Sequence, residues 1–258
     1  MLAKHLLQYV DKLEYPVAVQ PKLDGVRAIL TDEGFTSRNN KPIEGMPNLE
    51  KNVSQYKDIS PDGELFCRYK GFQSIVSSVR RSTNIREDID IGYWIFDCNI
   101  DAPFVERHEL LSKTVAINNR VKLLNYHIVD NIEQLYHWYN YFINEGFEGI
   151  IVRDLNSKYE TKRTKALLKM KPTKSMEVVI VKLIEGNGKY NNSLGAIECL
   201  TLDNKTVFVG SGFSDAKRDL LWKMQDTLID RRITIKYQEL TDEGVPRFPV
   251  YVGVRDYE

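Results

Sequence analysis

The run Lys22-Leu23-Asp24-Gly25-Val26-Arg27 sets a lysine directly before a tight turn. Residues 17–20 before it and 26–31 after it read as strands, and Asp-Gly supplies the turn between them. A lysine attacks only as its neutral amine. The free side chain ionises near 10.4, so about one in a thousand is neutral at pH 7.4. Such a motif on its own is more often a solvated surface turn. Its partners must decide whether it is more.

Four further runs supply candidate partners. They are Asp62-Gly63-Glu64-Leu65-Phe66, Tyr93-Trp94-Ile95-Phe96-Asp97, Glu148-Gly149-Ile150-Ile151-Val152-Arg153 and Leu167-Leu168-Lys169-Met170-Lys171. Each also has an ordinary reading. Glu64 fits an edge-strand charge, and Glu148 fits a turn cap. Phe96 fits plain core. Lys169 and Lys171 alternate on a strand and so share a face, which is usually solvated.

In this order, the five runs resemble the motifs of the covalent nucleotidyltransferase superfamily of ATP-dependent DNA ligases and RNA-capping enzymes. The first resembles the signature K-x-D-G-x-R, whose lysine bonds to a nucleoside monophosphate. The pattern covers essentially the whole chain, and its Lys-Leu-Asp-Gly and Glu-Gly-Ile-Ile-Val-Arg forms are closest to the DNA ligases. The resemblance implies ATP as substrate and a divalent metal, Mg2+ or Mn2+, held by Glu64 and Glu148. It implies an adenylate site of Gln20, Lys22, Arg27, Glu64, Phe96, Glu148, Lys169 and Lys171. Phe96 would stack on the purine. Gln20 lies where the family contacts the adenine edge, and fits an ordinary strand residue equally well. Arg27 would bond the ribose or hold a carboxylate. Arg38 and Arg163 fall where related ligases grip phosphates, Arg38 that of the nick 5′ end. Forked hydrogen bonding suits a guanidinium to that task.

The electrostatics of this set are self-consistent. Lys169 and Lys171 favour a neutral Lys22 by like-charge repulsion. Glu64 and Glu148 alone would oppose it. A divalent cation between the acids and the nucleotide reverses that sign and improves pyrophosphate as a leaving group.

Two departures from the family pattern stand out. The sixth motif, R-x-D-K, is present only as Arg255-Asp256 without its lysine, so Arg255 and Asp256, or else Arg247, are candidates to orient pyrophosphate. The connection Asp203-Asn204-Lys205 is too short to hold a DNA-encircling latch. A minimal ligase is expected, gripping nicked duplex weakly and with strong salt dependence, with help from accessory replication or repair proteins.

These residues need elements to carry them. The chain has 258 residues, 42% hydrophobic and 28% charged, which is enough for one large or two ordinary domains and argues against disorder. Its 36 basic and 36 acidic residues balance, so nucleic-acid binding would need local clusters. Residues 158–174 hold seven cations against Glu160 alone, and Arg80, Arg81 and Arg86 form a second group. Three scattered cysteines exclude a disulfide framework and fit a reducing cytoplasm. No stretch is long and apolar enough for a bilayer or a secretory signal.

The fold class expected is α+β. A nucleotidyltransferase domain at 1–172, with antiparallel sheets and flanking helices, precedes a C-terminal OB-fold β-barrel at 173–258. Helices are predicted at 2–13, 104–118, 132–145 and 214–229. Strands at 177–184, 196–202, 206–209, 233–237 and 250–254 would build the barrel, with the last helix between the third and fourth. A hinge is expected near Pro172-Thr173. The function expected is a monomeric DNA ligase working through lysyl-AMP, AMP transfer to a 5′-phosphate and 3′-hydroxyl attack. An RNA ligase or capping guanylyltransferase, or a non-catalytic OB-type nucleic-acid binder, are the alternatives.

Overall fold

The structure is a computed structural model that describes residues 1–6, 9–241 and 243–255. The chain divides into two compact units, Met1–Lys171 and Pro172–Glu258.

The first unit contains, in order, β1 (Leu2–His5), β2 (Val17–Lys22), β3 (Val26–Thr31), β4 (Gly34–Thr36), α1 (Pro47–Val53), β5 (Pro61–Phe66), α2 (Phe72–Val79), β6 (Gly92–Cys98), α3 (Phe104–Thr114), β7 (Val121–Leu123), β8 (His127–Val129), α4 (Ile132–Asn144), β9 (Gly149–Asp154) and β10 (Arg163–Met170). Two five-stranded sheets result, ordered β1-β10-β9-β2-β8 and β4-β3-β5-β6-β7. All pairings are antiparallel except β1 with β10 and β6 with β7.

The alternation of β2 explains what the first sheet does. Val17 and Val19 bury against α4 through Leu135 and Phe142. Ala18, Gln20 and Lys22 therefore point to the opposite face, toward the second sheet. α4 starts at Asn131, whose side chain accepts from Gln134 N at 2.9 Å. Gln134 reaches back to Asp130 N, also at 2.9 Å, so one orphan donor of the first turn and the N–H just before the cap are both satisfied. Gly146 ends that helix region at φ +82°, a conformation glycine adopts at little cost. The second sheet has its own core, in which Leu30, Phe35, Leu65, Tyr93 and Ile95 pack with Leu49, Ile75 and Leu111 of α1, α2 and α3.

The second unit contains β11 (Lys174–Glu185), β12 (Leu194–Leu200), β13 (Thr206–Val209), α5 (Asp215–Lys223), α6 (Gln225–Leu228), β14 (Arg232–Tyr237) and β15 (Val250–Val254). The order is β13-β12-β11-β14-β15, all antiparallel. A parallel bridge from Ser211 to Val250 joins the two ends of the sheet. The helices fall between the third and fourth strands, as the sequence predicts.

Three predicted elements differ. Residues 2–5 form a strand, not the start of a helix to 13. They are held by β10, some 160 positions away in sequence; a short turn is described at Val10–Lys12, and residues 7 and 8 of the predicted helix lie outside the described residues. The helix from 104 stops at Thr114, where Val115 turns extended. The helix from 214 breaks at Met224, whose N–H shares the carbonyls of Leu220 and Leu221.

Candidate active site

Lys22 is the last residue of β2, paired with Gly149 at the start of β9. The N–H of Glu148 donates to the Lys22 carbonyl at 3.0 Å, so the acid is tied to the lysine through the backbone. Gly149 explains why no larger residue can follow Glu148. Its φ is +151°, and a Cβ there would sit 2.0 Å from the Met170 carbonyl oxygen. This close approach brings the end of β10 against the start of β9. One carboxylate oxygen of Glu148 accepts from Lys22 Nζ and the other from Lys171 Nζ. Lys22 Nζ also donates to the Leu23 carbonyl at 3.3 Å.

Gly25 performs the same service on the other side. A Cβ at Gly25 would lie 2.4 Å from the Leu65 carbonyl oxygen and 2.8 Å from Glu64 Cγ. The turn after Lys22 thus rests directly on β5, at Glu64. Burial pushes the Glu64 carboxyl up to about 7, against the opposing pull of Lys22. Asp62 adds to the rise. Near neutral pH, Glu64 therefore holds its proton about half the time without any ligand.

Arg27 holds a carboxylate, and that carboxylate is Asp62. Its Nε and Nη2 donate to the two Asp62 oxygens at 2.8 and 2.6 Å. Tyr159 closes the ring: Arg27 Nη2 donates to its hydroxyl at 3.2 Å, and the hydroxyl donates to Asp62 at 2.8 Å.

Phe96 is the extra residue of a bulge in β6, because Asp97 pairs with Asp62 while Ile95 pairs with Gly63. A bulge re-aims the side chain it carries. The ring is partly buried against the second-sheet core. The Arg153 guanidinium lies 5.3 Å from its centroid.

Gln20 is 1% exposed and is bonded at both ends of its amide. Its Nε2 donates to the Leu124 carbonyl at 2.8 Å, and its Oε1 accepts from Arg153 Nε at 2.8 Å. The structure places it as a buried strut between the sheets. One amide hydrogen and one lone pair of Oε1 are left over for an adenine edge. Arg153 also donates to Asp97 at 2.8 Å. Arg107 grips the same carboxylate at 2.7 and 3.1 Å.

The lysines at the end of β10 face a group of cations. Lys169 is held below the usual lysine range, first by burial and then by Lys22, Arg163 and Arg38. His5 stands in register with Lys169 across the parallel pair β1·β10. Burial lowers its pKa, with Lys169, Lys171 and Arg163 adding to the effect. Lys169 thus lies within electrostatic reach of Lys22, Arg38 and Arg163, and His5 within reach of Lys169, Lys171 and Arg163. Arg38 and Arg163 are exposed. Cations packed this way repel, and an anionic phosphate chain would relieve that repulsion.

Among the described residues, no group of three or more His, Cys, Asp or Glu side chains stands ready for a metal. A divalent ion at Glu64 and Glu148 would draw its other ligands from phosphate oxygens or water, as Mg2+ commonly does. Glu148 would then exchange its ammonium partners for the ion.

In the second unit, Arg255 is exposed. Its Nε donates to Thr234 Oγ1 at 2.7 Å and lies 3.6 Å from Glu177. Asp256 lies outside the described residues. Arg247 pairs with Glu239.

Six residues of this region carry no role read from the sequence: His5, Asp62, Asp97, Arg107, Arg153 and Tyr159. Asp62, Asp97 and Arg153 sit inside the motif runs already singled out, which is the available signal. The other three carry none. Among the described residues, no helix is long and apolar enough to cross a membrane.

Residues 1–171 match the family described as ATP dependent DNA ligase domain, and residues 185–255 match the DNA ligase OB-like domain. A DNA ligase of African swine fever virus is 29% identical over 92% of this chain. The chain spans 63% of that viral protein's length. A solved structure of a Chlorella virus DNA ligase-adenylate aligns with 100% of this chain and 98% of its own, at 26% identity and a TM-score of 0.59. A structure from a study of Lig E DNA ligases, titled "DNA binding with a minimal scaffold", covers 99% of this chain and 98% of its own. Its TM-score is 0.83 at 22% identity, a likeness of fold.

Proposed function

The chain belongs to the ATP-dependent DNA ligase family, and we propose that it is itself an ATP-dependent DNA ligase that seals nicks through a covalent lysyl-AMP at Lys22. The observation that carries this reading is the setting of Lys22. Its amine sits at a strand end, shares Glu148 with Lys171, and lies within the field of Lys169.

In the first step, the Lys22 amine attacks the α-phosphorus of ATP. The N–P bond forms, the bond to the β-phosphate oxygen breaks, and pyrophosphate leaves. The amine must first give up a proton. Glu148 already holds a hydrogen bond to it and can accept that proton or pass it to water. Lys169 and Lys171 offset charge on the α-phosphate as it gathers in the transition state. Phe96, set by its bulge and backed by Arg153, offers a ring face to the adenine. Glu64 accepts a hydrogen bond from a ribose hydroxyl once it is ionised. Arg27, locked to Asp62, holds β3 and β5 in register beneath it. A divalent ion bound at Glu64 and Glu148 would supply charge neutralisation to the phosphates.

In the second step, a 5′-phosphate oxygen of the nick attacks the same phosphorus and Lys22 leaves. Arg38 and Arg163 hold that 5′-phosphate. In the third, the 3′-hydroxyl attacks the 5′-phosphate, the strand is sealed and AMP departs. Arg255 and Asp256 are the candidates to orient pyrophosphate in the first step. Residues 1–172 form the adenylyltransferase domain and 173–258 the OB domain in this reading.

The test is sealing of a singly nicked, 5′-labelled duplex with magnesium and either ATP or GTP. Sealing with ATP and its loss in Lys22→Ala is the expected result. In parallel the protein is incubated with magnesium and radiolabelled ATP or GTP, and label taken up from GTP but not from ATP would favour a capping enzyme.

A further inference from the structure

The reaction uses none of residues 67–71 or 80–91, yet the first segment is fastened beside Glu148 and the second is fastened to the first through Lys70. Residues 67–71 leave the end of β5 just after Glu64. Arg68 donates to the Glu145 carbonyl and carboxylate at 2.9 and 2.8 Å, and its guanidinium lies 5.2 Å from the Phe147 ring. Glu145 and Phe147 immediately precede Glu148. Lys70 turns the other way and binds Asp88 at 2.5 and 2.6 Å and Asp90 at 3.0 Å. Tyr69, held between these two anchored cations, is 93% exposed. No other large apolar or aromatic side chain among the described residues is as exposed.

The second segment, Arg80-Arg81-Ser82-Thr83-Asn84-Ile85-Arg86-Glu87-Asp88-Ile89-Asp90-Ile91, sorts its charges by direction. Every acid is engaged with the rest of the unit. Glu87 accepts from Asn48 N and Leu49 N at the start of α1, at 2.6 and 3.2 Å, and pairs with Arg120 at 2.5 Å. Asp88 and Asp90 hold Lys70. The three arginines are all exposed. Among the described residues, none of them makes a side-chain hydrogen bond or ion pair. A segment that is near neutral in sequence therefore presents three arginines outward, and its one exposed acid, Asp90, is paired with Lys70 at 3.0 Å. Its acids fasten it beside an exposed tyrosine ring.

We propose that Tyr69, Arg80, Arg81 and Arg86 form a nucleic-acid contact surface at the rim of the Lys22 site, the arginines taking backbone phosphates and the tyrosine ring packing on a sugar or base of the duplex. This rests on the ligase reading and adds to it a place for the duplex beside the nick. Guanidinium groups suit phosphate oxygens by geometry as well as charge. An aromatic face packs on nucleotides without regard to sequence. That is what an enzyme acting at any nick requires, since backbone contacts position without specifying.

The experiment uses the full chain and a nicked duplex ending in a 3′-dideoxynucleotide, so that binding is read without sealing. Affinity is measured by fluorescence anisotropy from 50 to 200 mM NaCl, and Lys22 adenylation with ATP is followed in parallel. For Arg80→Gln/Arg81→Gln/Arg86→Gln, the slope of log affinity against log salt should flatten by about 2 to 3, at roughly one per phosphate contact. Binding at 50 mM should weaken by about tenfold or more. Tyr69→Ala should weaken binding several-fold with its salt slope unchanged. Adenylation should stay at the wild-type rate in both. Variants that bind with wild-type affinity and slope overturn the proposal, and the surface then serves some other partner or solvent alone. If the triple variant no longer adenylates, the single arginine variants are read instead, each flattening the slope by about one; three unchanged slopes likewise overturn it. A wild-type protein that neither adenylates nor binds the nick sinks the ligase reading itself.

Discussion

Replacing Glu64 by glutamine should stabilise the ligand-free protein while impairing its chemistry. The Glu64 carboxyl ionises at about 7 in the folded chain, against 4.5 for an ordinary glutamate. The folded protein thus keeps a proton that the unfolded chain releases from pH 4.5 upward. Stability falls as pH rises through that window and is level above about 7. At roughly 1.4 kcal/mol per pH unit, the full loss is about 3 kcal/mol. This is a ceiling, because the side chain is partly open to solvent. Glutamine has the same shape and no proton to lose. Urea unfolding at pH 5 and pH 8.5 measures the difference, followed by Trp94 and Trp138 fluorescence in a Trp222→Phe background that silences the second unit. The advantage of Glu64→Gln over the parent should grow by about 2 to 3 kcal/mol between the two pH values. Nick sealing should fall in the same variant. An advantage that does not change with pH, or a variant less stable at pH 8.5, would refute the reasoning.

Lys169→Met removes a cation that lies in the field of Lys22. Because the repulsion is mutual, the acidic limb of the adenylation pH–rate profile should move to higher pH; an unmoved limb would show that Lys169 does not tune the nucleophile. Asp97→Ala leaves two buried guanidinium groups, Arg107 and Arg153, without their shared carboxylate. It should cost about 3 to 5 kcal/mol of stability in denaturant unfolding, and a loss under 1 kcal/mol would contradict that assignment. Gly149→Ala forces a Cβ against the Met170 carbonyl at positive φ. It should separate β9 from β10, so circular dichroism melting should show destabilisation of about 2 kcal/mol or more together with loss of adenylation.

How far the sequence revealed all this depends on the distance of the partners. Strands β3, β13 and β15 match the predicted residues because alternation is a local property. Gly25 and Gly149 were visible as motif glycines, although only the structure shows which carbonyls they make room for. β1 was misread because Leu2, Leu6 and Val10 have helical spacing, while the partner that holds residues 2–5 extended lies in β10. Arg107 and Tyr159 were invisible for the same reason. Their carboxylates, Asp97 and Asp62, lie on other strands, and nothing near them in sequence marks the pairing. The basic run 158–174 was legible as composition but not as a uniform surface. Lys158 pairs with Asp101 at 2.9 Å and Lys162 with Glu160 at 3.1 Å, whereas Lys169 and Lys171 turn inward to the lysine site. Gln20 reads as a ligand contact by resemblance, whereas its burial and its bonds to Leu124 and Arg153 show a strut.

The intact mass of the protein after mixing with ATP and magnesium tests the covalent step most directly. One added adenylate is expected, mapped by peptide sequencing to Lys22, lost in Lys22→Ala and removed by excess pyrophosphate. An unchanged mass, or an adenylate carried on any other residue, would contradict it.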